Sequence, residues 1–98
     1  MYTETGKERR ALRARAHHLE ATVQIGQPGL HSPLIQKTIE ELAAHELVKV
    51  RVRRTCLDDA KTLGPQLAQA TTSELVQIVG HTIVLYRPFP VDETADNG

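Results

Sequence analysis

The stretch Leu47-Val48-Lys49-Val50-Arg51-Val52-Arg53 constrains the fold more than any other part of the chain. Apolar and cationic residues alternate with a period of two, which marks a β-strand because successive side chains point to opposite faces. Val48, Val50 and Val52 therefore face a core, and Lys49, Arg51 and Arg53 share the other face. Three cations along one strand face repel one another and gain nothing in the fold by themselves. A phosphate backbone, carboxylates from the helix before the strand, or a place at a sheet edge, where charge deters edge-to-edge pairing, would each account for them.

The rest of the chain supplies elements for this strand to pack with. Thr5-Gly6-Lys7-Glu8 has the capping-box pattern and predicts a helix start. In that helix Leu12, Ala16 and Leu19 fall on one face, and Lys7, Arg10, Arg13 and His17 gather opposite. Ala21 to Ile25 alternates and reads as a strand ending at Gly26. Ser32 is a suitable N-cap and Pro33 suits the first helical position of a second helix running to about His45. Its inward residues are Leu34, Ile35, Ile39, Leu42 and Ala43, with Lys37, Glu40, Glu41 and Glu46 on the wet side.

A third helix is predicted from about Asp58 to Thr71, burying Leu57, Ala60, Leu63, Leu67 and Ala68. Gly64-Pro65 predicts a kink in it, or a second start at Pro65. Glu74 to Val79 and Thr82 to Tyr86 form two strands joined by a tight Gly80-His81 hairpin. Arg87-Pro88-Phe89-Pro90 closes a single domain over residues 1–90, and the acidic residues 91–98 form a disordered tail. The element order is α-β-α-β-α-β-β. It implies an α/β fold with a mixed four-stranded sheet and three helices.

Composition narrows the function. Ninety-eight residues with 40% hydrophobic content make one ordinary globular domain. The single Cys56 cannot form an internal disulfide, which fits a reducing, cytoplasmic setting. No apolar stretch approaches the roughly 20 residues of a membrane span. A monomer is expected. Net charge is zero, but residues 1–54 hold ten of the twelve Lys and Arg and only six of the twelve Asp and Glu. Such asymmetry hints at a surface that faces a polyanion.

Catalysis has no support in the pattern. Cys56 lacks a partner that would mark a nucleophile, no Ser-His-Asp arrangement can be argued, and His17 and His18 point about 100° apart on a helix, so they do not make a metal pair. No cofactor, metal, small-molecule substrate or enzymatic activity is expected.

Gly26-Gln27-Pro28-Gly29 stands between a strand and a helix start. Glycine at either end can take a positive φ without a Cβ clash, and free N–H groups of the turn and of the first helical residues then converge on one spot suited to an anion. It is no Walker or Rossmann loop, since the Lys-Ser/Thr ending and the further glycine are missing.

Several stretches together carry a family likeness. They are Thr5-Gly6-Lys7 with Ala16-His17-His18-Leu19, Val23-Gln24-Ile25-Gly26 with Gly29-Leu30, His45-Glu46-Leu47-Val48-Lys49-Val50, and Gly80-His81-Thr82-Ile83-Val84-Leu85-Tyr86-Arg87-Pro88. Over roughly residues 4 to 88 the chain resembles the YhbY family, the stand-alone bacterial form of the chloroplast RNA splicing and ribosome maturation (CRM) domain. The resemblance implies a fold similar to the C-terminal domain of translation initiation factor three. It also implies RNA as partner, a role in large ribosomal subunit assembly, and a glycine loop used as in KH domains, which clamp a nucleic-acid backbone. Carried over, Gly26, Gln27, Pro28, Gly29 and Leu30 would form the clamp. Lys7, Arg9, Arg10, Arg13, His17, Lys37, Lys49, Arg51 and Arg53 would supply the charge. Gln27 and Pro28 depart from the family, which often has a basic or small polar residue and Asn there. The rival expectation is a protein-interaction module that docks on a ribosomal protein or self-associates through the same basic half.

Overall fold

The computed structural model describes residues 6–90. Within them lie α1 (Gly6–Ala16), β1 (Val23–Ile25), α2 (Ser32–His45), β2 (Leu47–Val52), α3 (Ala60–Thr71), β3 (Glu74–Val79) and β4 (Thr82–Tyr86). The strands form one mixed sheet in the order β1-β2-β4-β3, with β1 parallel to β2 and the other neighbours antiparallel. β2 is therefore interior, and edge protection does not explain its cations. The capping-box Thr5 and the 91–98 tail lie outside the described residues.

Each face of β2 builds a different layer. Val48, Val50 and Val52 join Val23, Ile25, Ile83 and Leu85 under α2 and α3, which contribute Leu34, Leu42, Leu63 and Leu67. Each such side chain, once fully buried, contributes about 1.5–3 kcal/mol. On the other face α1 sets Leu12 and Ala16 against Leu47, Val76 and Val84, with Tyr86 beside them. This second cluster is small, and α1 covers only part of its face.

The helix boundaries differ from the expectation in ways that local chemistry explains. α1 stops at Ala16, so Leu19 falls outside the helix and is 39% exposed. His31, not Ser32, caps α2: its extended backbone turns Nδ1 to accept the Leu34 N–H at 3.3 Å. Ser32 and Pro33 then take the first two helical positions, where an N–H has no intrahelical acceptor and proline costs nothing. Ala43 is exposed, whereas Thr38 is buried because its hydroxyl donates to the Leu34 carbonyl at 2.8 Å. The regular part of β1 starts at Val23 rather than Ala21, although the Thr22 N–H still donates to Lys49 O at 3.1 Å.

α3 begins at Ala60 behind the N-cap Asp59, which leaves Leu57 in the preceding loop at 94% exposure instead of in the core. α3 also passes through Pro65 as one segment, without a second start. Gly64 makes this possible, because a preceding residue without a Cβ avoids much of the clash that proline imposes. The same glycine admits β3, since a Cβ there would stand 2.9 Å from Ile78 Cδ1. Pro65 itself is exposed, so the Lys61 carbonyl it leaves unbonded can be hydrated.

Two outcomes are expected. Pro65→Ala restores an N–H to the helix and should raise unfolding stability by about 1–2 kcal/mol, net of the entropy that proline removes from the unfolded chain. An unchanged or lower denaturation midpoint would contradict the account of α3. Asp59 accepts the Thr62 N–H at 2.9 Å, and hydrogen bonding to Thr62, its backbone first, holds the carboxyl below its ordinary value. With the folded value below the unfolded one, the cap contributes fully above about pH 4 and its contribution is lost as pH falls through the folded value. Asp59→Asn should flatten that part of the acid dependence, read as denaturation midpoints between pH 5 and 2.

Candidate nucleic-acid interface

The glycine loop leaves the C-terminal end of β1. The Gly29 N–H donates to the Gly26 carbonyl at 3.0 Å, which closes a tight turn over Gln27 and Pro28. Gly29 has φ +67°, the left-handed region that favours glycine, and a Cβ there would meet open space. Gly26 does not use a positive φ; its backbone lies beside Thr55, whose Oγ1 would be 3.8 Å from an added Cβ. Gln27 and Pro28 are exposed at the tip.

The donors at the loop are fewer than the sequence suggests. Gly29 spends its N–H within the turn, Leu34 gives its own to His31 Nδ1, and Pro33 has none. The N–H groups of Leu30, His31 and Ser32 have no acceptor among the described residues. They mark the N-terminal end of α2, where aligned peptide dipoles favour an anion.

The cations fall into three groups. Parallel pairing sets Gln24 opposite Arg51 on the open sheet face, and the Arg53 N–H donates to Ile25 O at 2.8 Å, so Arg53 stands next to Gly26. Arg51 and Arg53 line a hollow with Gln24, Arg54, Thr55 and His81. Lys37 lines a neighbouring hollow with Thr22, Gln24, His31 and Pro33, beside the start of α2. Arg13, His17 and Lys49 line a groove with Gln77, Thr82 and Val84, where the end of α1 stands over the sheet. Gln24 belongs to both of the first two hollows, and Arg51 is paired with Thr82 of the groove, so the three form one surface.

Lys7, Arg9 and Arg10 line none of these three hollows. Arg9 Nη1 donates to Leu75 O at 3.5 Å on β3, two strands away from β2, and Arg10 lies near Gly6 at the start of α1. Lys49 is partly committed to structure: its Nζ donates to Leu19 O at 3.0 Å and anchors the chain leaving α1. Among the described residues no carboxylate forms an ion pair with Lys49, Arg51, Arg53 or Arg54, which removes the helix-two carboxylates as their explanation. Sequence reasoning missed Arg54, Gln24, Thr55 and His81. Arg54 and Thr55 directly follow Arg53 in the sequence, whereas only the register of β1 on β2 and the position of the hairpin turn bring in Gln24 and His81.

Among the described residues Tyr86 and Phe89 stay away from this surface. Tyr86 packs beside the α1 cluster, and Phe89, 48% exposed, is held by its N–H to Glu46 Oε2 at 2.7 Å, at the opposite end of β2 from the loop. Among the described residues no group of three His, Cys, Asp or Glu side chains could hold a metal, and no helix is long and apolar enough to cross a membrane.

Comparison with known proteins places this geometry in context. The model of the CRS1 / YhbY (CRM) domain matches residues 5–87. The chain is 42% identical over 83 residues to the probable RNA-binding protein YqeI of Bacillus subtilis, covering 85% of this chain and 86% of that one. A probable RNA-binding protein of Methanocaldococcus jannaschii is also 42% identical, over 86% of this chain but 63% of its own length. The fold is similar to the solution structure of a hypothetical Staphylococcus aureus protein described as a candidate RNA-binding protein, with a TM-score of 0.77 and 40% identity over 92% of this chain and 94% of that one.

The two loop glycines should respond differently to substitution. Gly29→Ala forces a Cβ into the left-handed region and should cost about 1–2 kcal/mol, whereas Gly26→Ala should cost well under 1 kcal/mol. Equal shifts in the urea midpoint would refute the conformational distinction between them.

Proposed function

The chain belongs to the CRS1 / YhbY (CRM) domain family, and from that premise we propose that it is a non-enzymatic RNA-binding protein that assists assembly of the large ribosomal subunit in the cytoplasm. The observation that carries the RNA part is the open basic hollow of Arg51 and Arg53, which holds no carboxylate and adjoins the glycine loop. The names of the relatives support the same partner. The ribosomal part rests on the family likeness.

Recognition is of backbone and shape. Donors on this face are guanidinium, ammonium and amide groups suited to phosphate oxygens. Base stacking needs exposed aromatic platforms, and Tyr86 and Phe89 stand elsewhere. Gly26 and Gly29 allow close approach, Leu30 to Ser32 offer N–H groups, and Arg13, Lys37, Arg51 and Arg53 supply the long-range attraction, with Lys49 contributing whatever donor capacity Leu19 leaves.

Affinity for structured ribosomal RNA should therefore fall steeply with salt, with a log–log slope of about −0.7 to −0.9 per phosphate neutralised. Arg13→Ala combined with Arg51→Ala should weaken binding about tenfold or more at moderate salt and make the slope shallower by about 1.4–1.8, with the melting temperature nearly unchanged. Fluorescence anisotropy across a salt series reads both. A flat salt response, or co-sedimentation with ribosomal particles that survives RNase, would favour a protein partner instead.

A further inference from the structure

We propose that the hollow at the C-terminal end of β2 is a second phosphate-binding subsite, built by Gln24, Arg51, Arg53, Arg54, Thr55 and His81 and adjoining the glycine loop. The inference rests on the RNA-binding reading and specifies where a backbone phosphate outside the loop is held. Arg54, Gln24, Thr55 and His81 have no place in the loop mechanism, yet they come together from β1, the turn after β2 and the β3–β4 hairpin.

The hollow is preorganised by main-chain bonds rather than by side-chain pairing. The Val52 N–H donates to His81 O at 2.7 Å and pins the hairpin turn to β2. The Arg53 N–H donates to Ile25 O at 2.8 Å, and the Cys56 N–H to Arg53 O at 3.0 Å, which closes the turn that presents Arg54 and Thr55. Gly80, with φ +56°, lets the hairpin turn tightly enough to bring His81 there.

The chemistry of the lining selects the ligand. Every polar side chain is a donor or can donate: three guanidinium forks, an amide, a hydroxyl and an imidazole, with no carboxylate among them. Guanidinium groups match phosphate oxygens in pairs, and the neutral donors can complete a tetrahedral shell. Three arginines on and beside an interior strand repel one another without an anion, and neither edge protection nor an ion pair offsets them. Thr55, at Gly26, makes the hollow and the loop neighbours, so one strand of RNA can occupy both.

The test uses the full chain. Inorganic phosphate titrated into labelled protein should produce saturable amide shifts confined to Gln24, Arg51, Arg53, Arg54, Thr55 and His81. Arg54→Ala with His81→Ala, both exposed positions, should weaken that binding at least tenfold and make the salt slope of RNA affinity shallower by about 0.7–1.8, in a protein whose spectrum remains dispersed. Shifts that are absent, unsaturable or spread equally over Lys7 and Arg10 would overturn the subsite. RNA affinity and slope unchanged in the double variant would overturn it too, while leaving the RNA reading intact. Saturable phosphate binding here by a protein that binds no RNA would retain the subsite and overturn the RNA reading. Poly-glutamate bound here more tightly than RNA would mark a dock for an acidic protein segment and reject the phosphate assignment.

Discussion

An unpaired cation cannot be buried cheaply, and that penalty shapes the molecule around β2. Taking an ammonium or guanidinium out of water without a partner costs several kcal/mol, more than one helix of this size could return by covering it. α1 therefore packs where the sheet is apolar, over Leu47, Val76 and Val84, and leaves Arg51 and Arg53 open. Lys49 stands at the boundary, half-buried, and its ammonium gives one of its three N–H donors to the Leu19 carbonyl. One hydrogen bond thus ends the covered zone and directs the chain from α1 into β1, which carries the glycine loop.

The C-terminal block most recognisable in the sequence serves this scaffold. Ile83 and Leu85 are fully buried on the interior strand β4. The Arg87 N–H donates to Glu46 O at 2.8 Å, and its guanidinium reaches Thr71 O at 3.4 Å, joining the ends of α2 and α3. Glu46 ends α2 through its φ of +66°, while its N–H still donates to Leu42 O and its carboxylate accepts the Phe89 N–H. Arg87 and Glu46 hold the inner core together at the end of β2 remote from the loop, so the Ile83 to Pro88 part of the likeness is evidence about fold more than about ligand.

How much could be read from sequence followed the range of the interactions involved. The alternation in β2 and the Gly80-His81 hairpin are set by neighbouring residues, and both came through in the pattern. Leu19 and Leu57 fall outside the core because α1 ends before Leu19 and α3 starts after Leu57, where the Asp59 cap outweighs periodicity. His31 is hard to recognise as a cap because its ring nitrogen is a less usual acceptor than the Ser32 hydroxyl. Pro65 reads as a break because it removes a helical N–H; Gly64 beside it relieves the clash, and what the local pattern hides is that the same glycine also admits β3, ten residues or more further on. The strand order, and with it the meeting of Gln24, Arg51 and His81, depends on pairing between distant segments and leaves no trace in local pattern.

That difference of range also sorts the two parts of the candidate interface. The loop is a local device, and its arithmetic is tight: a proline at Pro33, a turn bond at Gly29 and a cap at Leu34 remove three of the N–H groups that would otherwise face an anion. With Gln27 and Pro28 at its tip it carries no cation either. A neutral loop with so few donors can admit a phosphate, but attracting one from a distance needs charge. The charge comes from β2 and the turn after it, positioned by a sheet whose interior strand cannot cover its own arginines. Close approach and attraction are therefore separate properties of separate segments, joined where Arg53 bonds to Ile25 and Thr55 meets Gly26.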